Sequence, residues 1–294
     1  MRRVAVIAHR GKTLEDGLPG LRRALARHGV VAPLWYEVSK SRHTREPLQH
    51  ALAEGAELIF VWGGDGMVQR SVDVLAGSRA ELAIVPAGTA NLLASNLGVP
   101  KTIHGAVEVG LHGTRRQLDV GRINGERFAV MAGVGFDARM IHDATRELKR
   151  AFGRLAYVWT ATKNLRAKPF HARIDVDGNQ WYRGDASCVL FGNVGQAFGG
   201  IRAFDDAQPD DGLLEVGVAS ADGVFDWART IARSAVSSVS KSPFVHVTKG
   251  HSVEVRLGRK VLYELDGGER PKGKRFRVEV QPAAVSICVP QAAL

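Results

Sequence analysis

Gly63, Gly64 and Gly66 bracket an acid, Asp65, directly after the apolar run LeuIlePheValTrp at 58–62 and directly before the helical spacing of Val68, Val72 and Leu75. Glycines at a strand-to-helix junction let the backbone approach a phosphate chain, and the N–H groups of the helix's first turn attract the anion. A carboxylate in such a loop would repel phosphate unless a cation lay between them, so Asp65 points to Mg²⁺-bound nucleotide. The same residues also suit a plain tight turn with Asp65 as a helix cap. Neither a GxGxxG spacing nor a GxxxxGK[ST] loop is present. A second junction, ProAlaGlyThrAlaAsn at 86–91, follows LeuAlaIleValPro and opens LeuLeuAlaSerAsnLeu. Thr89 and Asn91 there suit contacts to phosphate or ribose, or a helix cap.

Two such junctions must be positioned by neighbouring strands. From Arg3 to about Leu111 short apolar runs alternate with helical patterns such as Leu18, Leu21, Ala24 and Leu25, which is βαβ grammar and predicts a parallel sheet covered on both faces. The loops would then share the sheet's carboxyl edge, where open α/β folds bind ligands. After Leu118 the grammar changes to short alternating strands joined by turn dipeptides, Asn124-Gly125 and Asp177-Gly178, so the second half reads as mainly antiparallel β. Helices are expected at 223–239 and around Thr145 to Leu165, the latter carrying Arg146, Lys149, Arg150, Arg154 and Lys163. A cleft between two closely packed domains is the expected place for a ligand.

At 294 residues, 45% apolar and 24% charged, the chain has ordinary globular composition with room for two domains. Its two cysteines, Cys188 and Cys288, each lie in an apolar run, which argues against a disulfide framework and for a reducing, cytoplasmic setting. No stretch approaches the roughly 18 apolar residues that cross a bilayer. The expectation is a soluble protein, at most peripheral at the inner face of a membrane. The net charge of +10 favours polyanionic partners, nucleotide or anionic lipid headgroups. Zinc-finger spacing, ribonucleoprotein aromatics and basic heptads are all missing, so nucleic acid is not expected.

The order of GlyGlyAspGly, ProAlaGlyThrAlaAsn, LeuAspVal (118–120), GlyValGlyPheAspAla (133–138), GlyAsnVal (192–194), ProAspAspGlyLeuLeu (209–214) and LeuAspGlyGlyGlu (265–269) resembles the diacylglycerol kinase catalytic-domain family, including bacterial soluble lipid kinases and sphingosine kinases. The resemblance runs the full chain. It implies a Rossmann-like, NAD-kinase-like parallel α/β nucleotide domain over 1–118, with a tail at about 284–294 packing back on it. A mainly antiparallel β-sandwich domain over 119–283 would bind the substrate. It further implies ATP held by Gly63, Gly64, Asp65, Gly66, Met67, Val68 and Gln69 together with Gly88, Thr89 and Asn91. Ser39 and the first-strand exit His9–Gly11 are weaker candidates. A structural Mg²⁺ would take the Asp211 carboxylate and the carbonyls of Gln208 and Leu213, although Asp210-Asp211-Gly212 also reads as a turn. Asp119 matches a member of an acidic, water-linked Mg²⁺ network and Asp137 a substrate-hydroxyl contact. A lipid hydroxyl is a poor nucleophile, so a positioned carboxylate should take its proton; Asp266 and Glu269 are both candidates, while AspGlyGly also reads as a hairpin turn.

Departures accompany the match. Met67 stands where Thr is common, Gln69 and Arg70 where Asn and Glu are frequent, Leu92 where Asp is frequent, and His9-Arg10-Gly11-Lys12 where AsnPro is usual. The expected activity is phosphoryl transfer from ATP to a lipid hydroxyl, diacylglycerol or a related lipid, during transient contact with an anionic membrane surface. A homodimer is left open. An NAD kinase-like phosphotransferase and a catalytically silent nucleotide-binding regulator are the alternatives.

Overall fold

The apolar runs of the first half become a stack of buried parallel strands. A computed structural model describes residues 2–135, 169–196, 203–220 and 245–291. The helices expected at 145–165 and 223–239, with their basic residues and Asp137, lie outside them. Chain contacts divide the molecule into two units, Met1–Asp119 with Ala283–Leu294, and Val120–Pro282.

In the first unit β1 (Val4–His9) pairs in parallel with β2 (Leu34–Val38) on one side and β3 (Leu58–Gly63) on the other. β4 (Glu81–Pro86) follows on β3. The end of the last strand, β14 (Gly268–Val289), adds a fifth parallel member through Ser286 and Ile287. β3 is buried along its whole length, as expected of a strand covered on both faces. Helix α1 (Gly17–Arg27) buries Leu21, Ala24 and Leu25; α2 (Arg45–Ala53) buries Leu48 and Ala51. On α3 (Asp65–Leu75) the buried face includes Met67, Val68, Val72 and Leu75, and on α5 (Ile103–His112) Ile103, Ala106 and Val107. Each large apolar side chain so buried contributes about 2 kcal/mol. Between the last two helices lies one short turn of helix, α4 (Leu92–Asn96). The strand order 2-1-3-4 reverses direction at β1, and the loops leaving β1, β3 and β4 all emerge at the carboxyl edge.

The second unit is antiparallel. β5 (Thr114–Ile123) turns at Asn124-Gly125 into β6 (Glu126–Phe128), and β8 (Phe170–Val176) turns at Asp177-Gly178 into β9 (Asn179–Ala186). Both residues of each turn have positive φ, the geometry that matches strand twist in two-residue hairpins. β12 (Val245–Gly250), β11 (Leu214–Ala219), β10 (Cys188–Gly192), β7 (Met131–Val134) and β13 (Ser252–Leu265) continue in that spatial order.

The separate runs ValGluValArgLeu and LeuTyrGluLeu are one strand, β13, because a break in register between Arg256 and Val261 bends it. Its first half pairs with β8 and its second with β7. The inward faces meet in a core that includes Phe128, Phe170, Phe191, Val216, Val255 and Phe276.

Candidate active site

Gly64 and Gly88 let the two loops at the carboxyl edge touch backbone to backbone. A Cβ at Gly88 would stand 2.4 Å from the Gly64 Cα, and one at Gly64 3.1 Å from the Gly88 Cα. Only residues without a Cβ fit there. Asp65, the first residue of α3, then ties the loops together. Its Oδ2 accepts the N–H of Asn91 at 3.0 Å and its Oδ1 the N–H of Leu92. The acid therefore serves the N-terminus of α4, not of its own helix, supplying acceptors to donors that have no intrahelical partner.

Asn91, at φ +51°, holds its own loop. Its Oδ1 accepts the Gly88 N–H at 2.9 Å, and its Nδ2 donates to the carbonyls of Gly88 (2.8 Å) and Pro86 (3.2 Å). Its side chain makes no helix-cap bond. Thr89 and Gly66 are exposed, as is Ser39 after β2. Met67, Val68 and Gln69 are buried, and the Met67 sulfur packs where a Cβ on Gly63 would stand, 2.7 Å away. The Met67 side chain thus fills the interior under the loop. Its N–H donates to the Gly64 carbonyl at 2.9 Å.

At the first-strand exit the Gly11 N–H donates to His9 Nδ1 at 3.0 Å, and the Lys12 carbonyl accepts the Trp62 indole N–H at 3.1 Å. Burial and then the Lys12 charge lower the His9 pKa, so the ring is neutral at pH 7 and can accept at Nδ1.

Asp119 is buried, and its Oδ1 accepts the N–H of Ala283 at 2.8 Å. In the second unit Asp266 and Gly267 form the turn between β13 and β14, with φ +46° and +80°. The Asp266 carboxylate is buried and accepts three consecutive backbone N–H groups, from Ala129 (2.8 Å), Val130 (2.9 Å) and Met131 (2.9 Å). Glu269, opposite Glu264 in register, is exposed.

In the 208–213 loop, Asp211 Oδ1 accepts the Leu213 N–H at 3.0 Å. Its other oxygen lies 3.7 Å from the ammonium of Lys249, which also sits 2.9 Å from Glu215 Oε1 and donates to the Asp206 carbonyl at 3.0 Å. Burial raises the Glu215 pKa against the opposing pull of Lys249; Lys249 is raised because Glu215 outweighs its own desolvation. Carboxylate and carbonyl oxygens suit a hard dication, so Gln208, Asp211 and Leu213 fit the expected ion by donor type, in an acidic loop that already holds an ammonium. Lys249 and Glu215 had no sequence signal: they meet across β11 and β12, 34 residues apart in the chain (249 − 215).

A family model described as the diacylglycerol kinase catalytic domain matches residues 5–123, and one described as the YegS C-terminal NAD kinase beta sandwich-like domain matches residues 129–289. The chain belongs to the diacylglycerol kinase catalytic-domain family. It is a kinase, a phosphotransferase. A relative from Mycobacterium tuberculosis named "Diacylglycerol kinase" is 32% identical over 212 residues, covering 67% of this chain and 68% of its own. One from an Enterobacter species, named "Probable lipid kinase YegS-like", is 28% identical over 88% of this chain and 86% of its own. A crystal structure of a diacylglycerol kinase from Bacillus anthracis superposes on this kinase with a TM-score of 0.78 at 20% identity, covering 100% of this chain and 98% of that one, so the fold is shared. No described helix of the kinase is long and apolar enough to cross a membrane.

Proposed function

We propose that this kinase transfers the γ-phosphoryl group of ATP to the hydroxyl of a lipid, diacylglycerol or a close relative of it. The observation that carries the reading is the pair of glycine loops at the carboxyl edge of the first unit, locked together by Asp65. Phosphate binding is assigned to the amides of Gly64, Asp65 and Gly66 at the start of α3, where the helix dipole and donors without intrahelical partners favour an anion. Thr89 and Ser39, both exposed, are assigned polar contacts to the nucleotide. Gly63, Met67, Val68, Gln69, Gly88 and Asn91 shape the loops from beneath.

Mg²⁺ accompanies the nucleotide and neutralises charge on the transferring phosphoryl group. Gln208, Asp211 and Leu213 would hold a second, structural ion, and Asp119 and Asp137 are retained as proposed polar contacts of the acidic network and the substrate. The hydroxyl proton is assigned to a carboxylate of the hairpin at 266–269. Three N–H donors fix the orientation of Asp266, and Glu269 is the accessible one of the pair. Names of relatives that include "lipid kinase" and "Diacylglycerol kinase" support a lipid acceptor.

The test is incubation of purified protein with γ-labelled ATP and Mg²⁺, in separate reactions with a total lipid extract and with NAD. Labelled phosphatidic acid or another labelled lipid is expected. Labelled NADP without labelled lipid would replace the reading with an NAD kinase, and transfer to neither would make the chain a nucleotide-binding regulator.

A further inference from the structure

On the outer face of the first unit, His104, Glu108 and His112 recur every four residues along α5, which puts all three on one exposed stripe. The opposite face of the helix carries Ile103, Ala106, Val107 and Gly110 into the core, so the stripe is held on a rigid element. His28, the residue that ends α1, leans against this stripe. Its Nδ1 lies 3.1 Å from His112 Nε2, its Nε2 lies 3.6 Å from Glu108 Oε2, and its ring centroid is 5.2 Å from that of His112 and 6.1 Å from that of His104. One ligand atom from each of His28, Glu108 and His112 falls within 4.8 Å of the other two.

We propose that His28, Glu108 and His112 form a binding site for a transition-metal dication of the Zn²⁺ class. Two imidazoles and one carboxylate are a borderline donor set that Zn²⁺ takes and Mg²⁺ does not. Metal–ligand bonds of about 2.0–2.1 Å in a tetrahedron set neighbouring donor atoms about 3.4 Å apart. One donor atom from each of the three side chains already lies within 4.8 Å of the other two, wider than that spacing, so side-chain rotations that draw them inward convert the cluster into a ligand set.

Two contacts hold the ligands in place from behind. His28 is fixed by its backbone N–H bonds to the last carbonyls of α1, and the His112 carbonyl accepts Gln291 Nε2 at 2.9 Å. A helix that follows a strand and packs on a parallel sheet runs back toward the sheet's amino edge. The C-terminus of α1 therefore lies at the opposite edge from the glycine loops. A metal there would act by pinning α1 to α5 and stiffening the nucleotide unit, with no part in phosphoryl transfer.

The test uses the full-length, tag-free protein after chelator treatment, titrated with ZnCl₂ by calorimetry and by competition with a chromogenic chelator, with thermal unfolding in parallel. One Zn²⁺ per chain in the micromolar range is expected, with a rise in Tm that millimolar Mg²⁺ does not reproduce. H28A and H112A should each weaken binding tenfold or more and E108Q less, while metal-free Tm stays near wild type for H112A and E108Q, whose side chains are exposed, and falls modestly for H28A, which is half-buried; H171A, in the other unit, should bind as wild type. Zinc binding that survives both H28A and H112A, or no binding in the micromolar range, would overturn the proposal.

Discussion

The Asp65 carboxylate accepts the backbone N–H of Asn91, 26 residues further along the chain, at 3.0 Å, and so makes one surface of two loops. Replacing Asp65 with Asn keeps one acceptor oxygen but turns an NH₂ group toward a backbone N–H. One hydrogen bond is lost and one donor is left facing another. D65N should be destabilised by about 1–3 kcal/mol in urea unfolding. Its ATP affinity should fall more steeply than stability alone explains, because both loops lose their mutual position. An unchanged unfolding midpoint would show that Asp65 does not clamp the loops.

Gly88 and Gly66 separate packing from ligand contact. A Cβ at Gly88 meets the Gly64 backbone at 2.4 Å, whereas one at Gly66 meets the Ser41 side chain at an ordinary 3.5 Å. G88A should therefore lower both Tm and ATP affinity by forcing the loops apart. G66A should keep its Tm, since the position is exposed and sterically open, and lose ATP affinity if phosphate approaches that turn as closely as proposed. Isothermal titration with a non-hydrolysable ATP analogue beside thermal unfolding measures both quantities.

Local patterns reported the fold well and the long-range pairings hardly at all. The apolar runs at 58–62 and 82–86 are β3 and β4, and Asn124-Gly125 and Asp177-Gly178 are hairpin turns, because burial and turn geometry are written in neighbouring residues. The polar group that serves α4 is Asp65, a whole strand and helix away, and three amides at 129–131 converge on Asp266. Such pairings depend on how strands lie side by side, which periodicity does not record. The same limit hid the fusion of the runs at 253–257 and 262–265 into β13: a register break looks like a loop until the strand's two partners are known.

Glu81 predicts a dependence on acid. Its carboxylate loses hydration by partial burial, but bonds from Arg2 and Arg115 more than offset that and hold its pKa below the ordinary value. The unfolded chain then binds more protons through this window, so stability rises with pH. The contribution is fully present above the ordinary glutamate pKa of about 4.3 and disappears as pH falls through the lower folded value. E81Q should cost about 1 kcal/mol at pH 7, and its deficit relative to wild type should shrink as the pH of urea unfolding is lowered toward 4. A deficit that does not vary with pH would mean that Glu81 acts through packing alone.

Lys249 tests what balances the acidic loop of the second unit. K249M leaves the buried Glu215 without its ammonium and should cost about 1–3 kcal/mol at pH 7, less than a fully buried pair because Lys249 is partly exposed. Glu215 is already raised by burial, and a raised folded pKa favours the protonated state on folding, so the K249M deficit should narrow as pH is lowered and Glu215 takes up its proton. Millimolar Mg²⁺ should stabilise K249M more than wild type, since the ion and the ammonium draw on the same oxygens. Equal Mg²⁺ stabilisation of the two proteins would place the ion elsewhere.

Asp266 and Glu269 divide by what their removal does to the fold. In D266N an amide nitrogen replaces one of two oxygens that face three backbone N–H groups, so at least one donor is left unsatisfied in a buried turn. Tm should fall along with turnover, and the loss of turnover alone cannot then identify the base. Glu269 is exposed, and E269Q should fold as wild type. Its turnover with saturating lipid and ATP assigns the proton. A hundredfold loss at unchanged KM, within the range expected for a general base, gives it to Glu269. Turnover near wild type gives it to Asp266, whose fixed orientation then serves chemistry as well as the turn. Loss of activity in neither variant would remove the hairpin from the reaction.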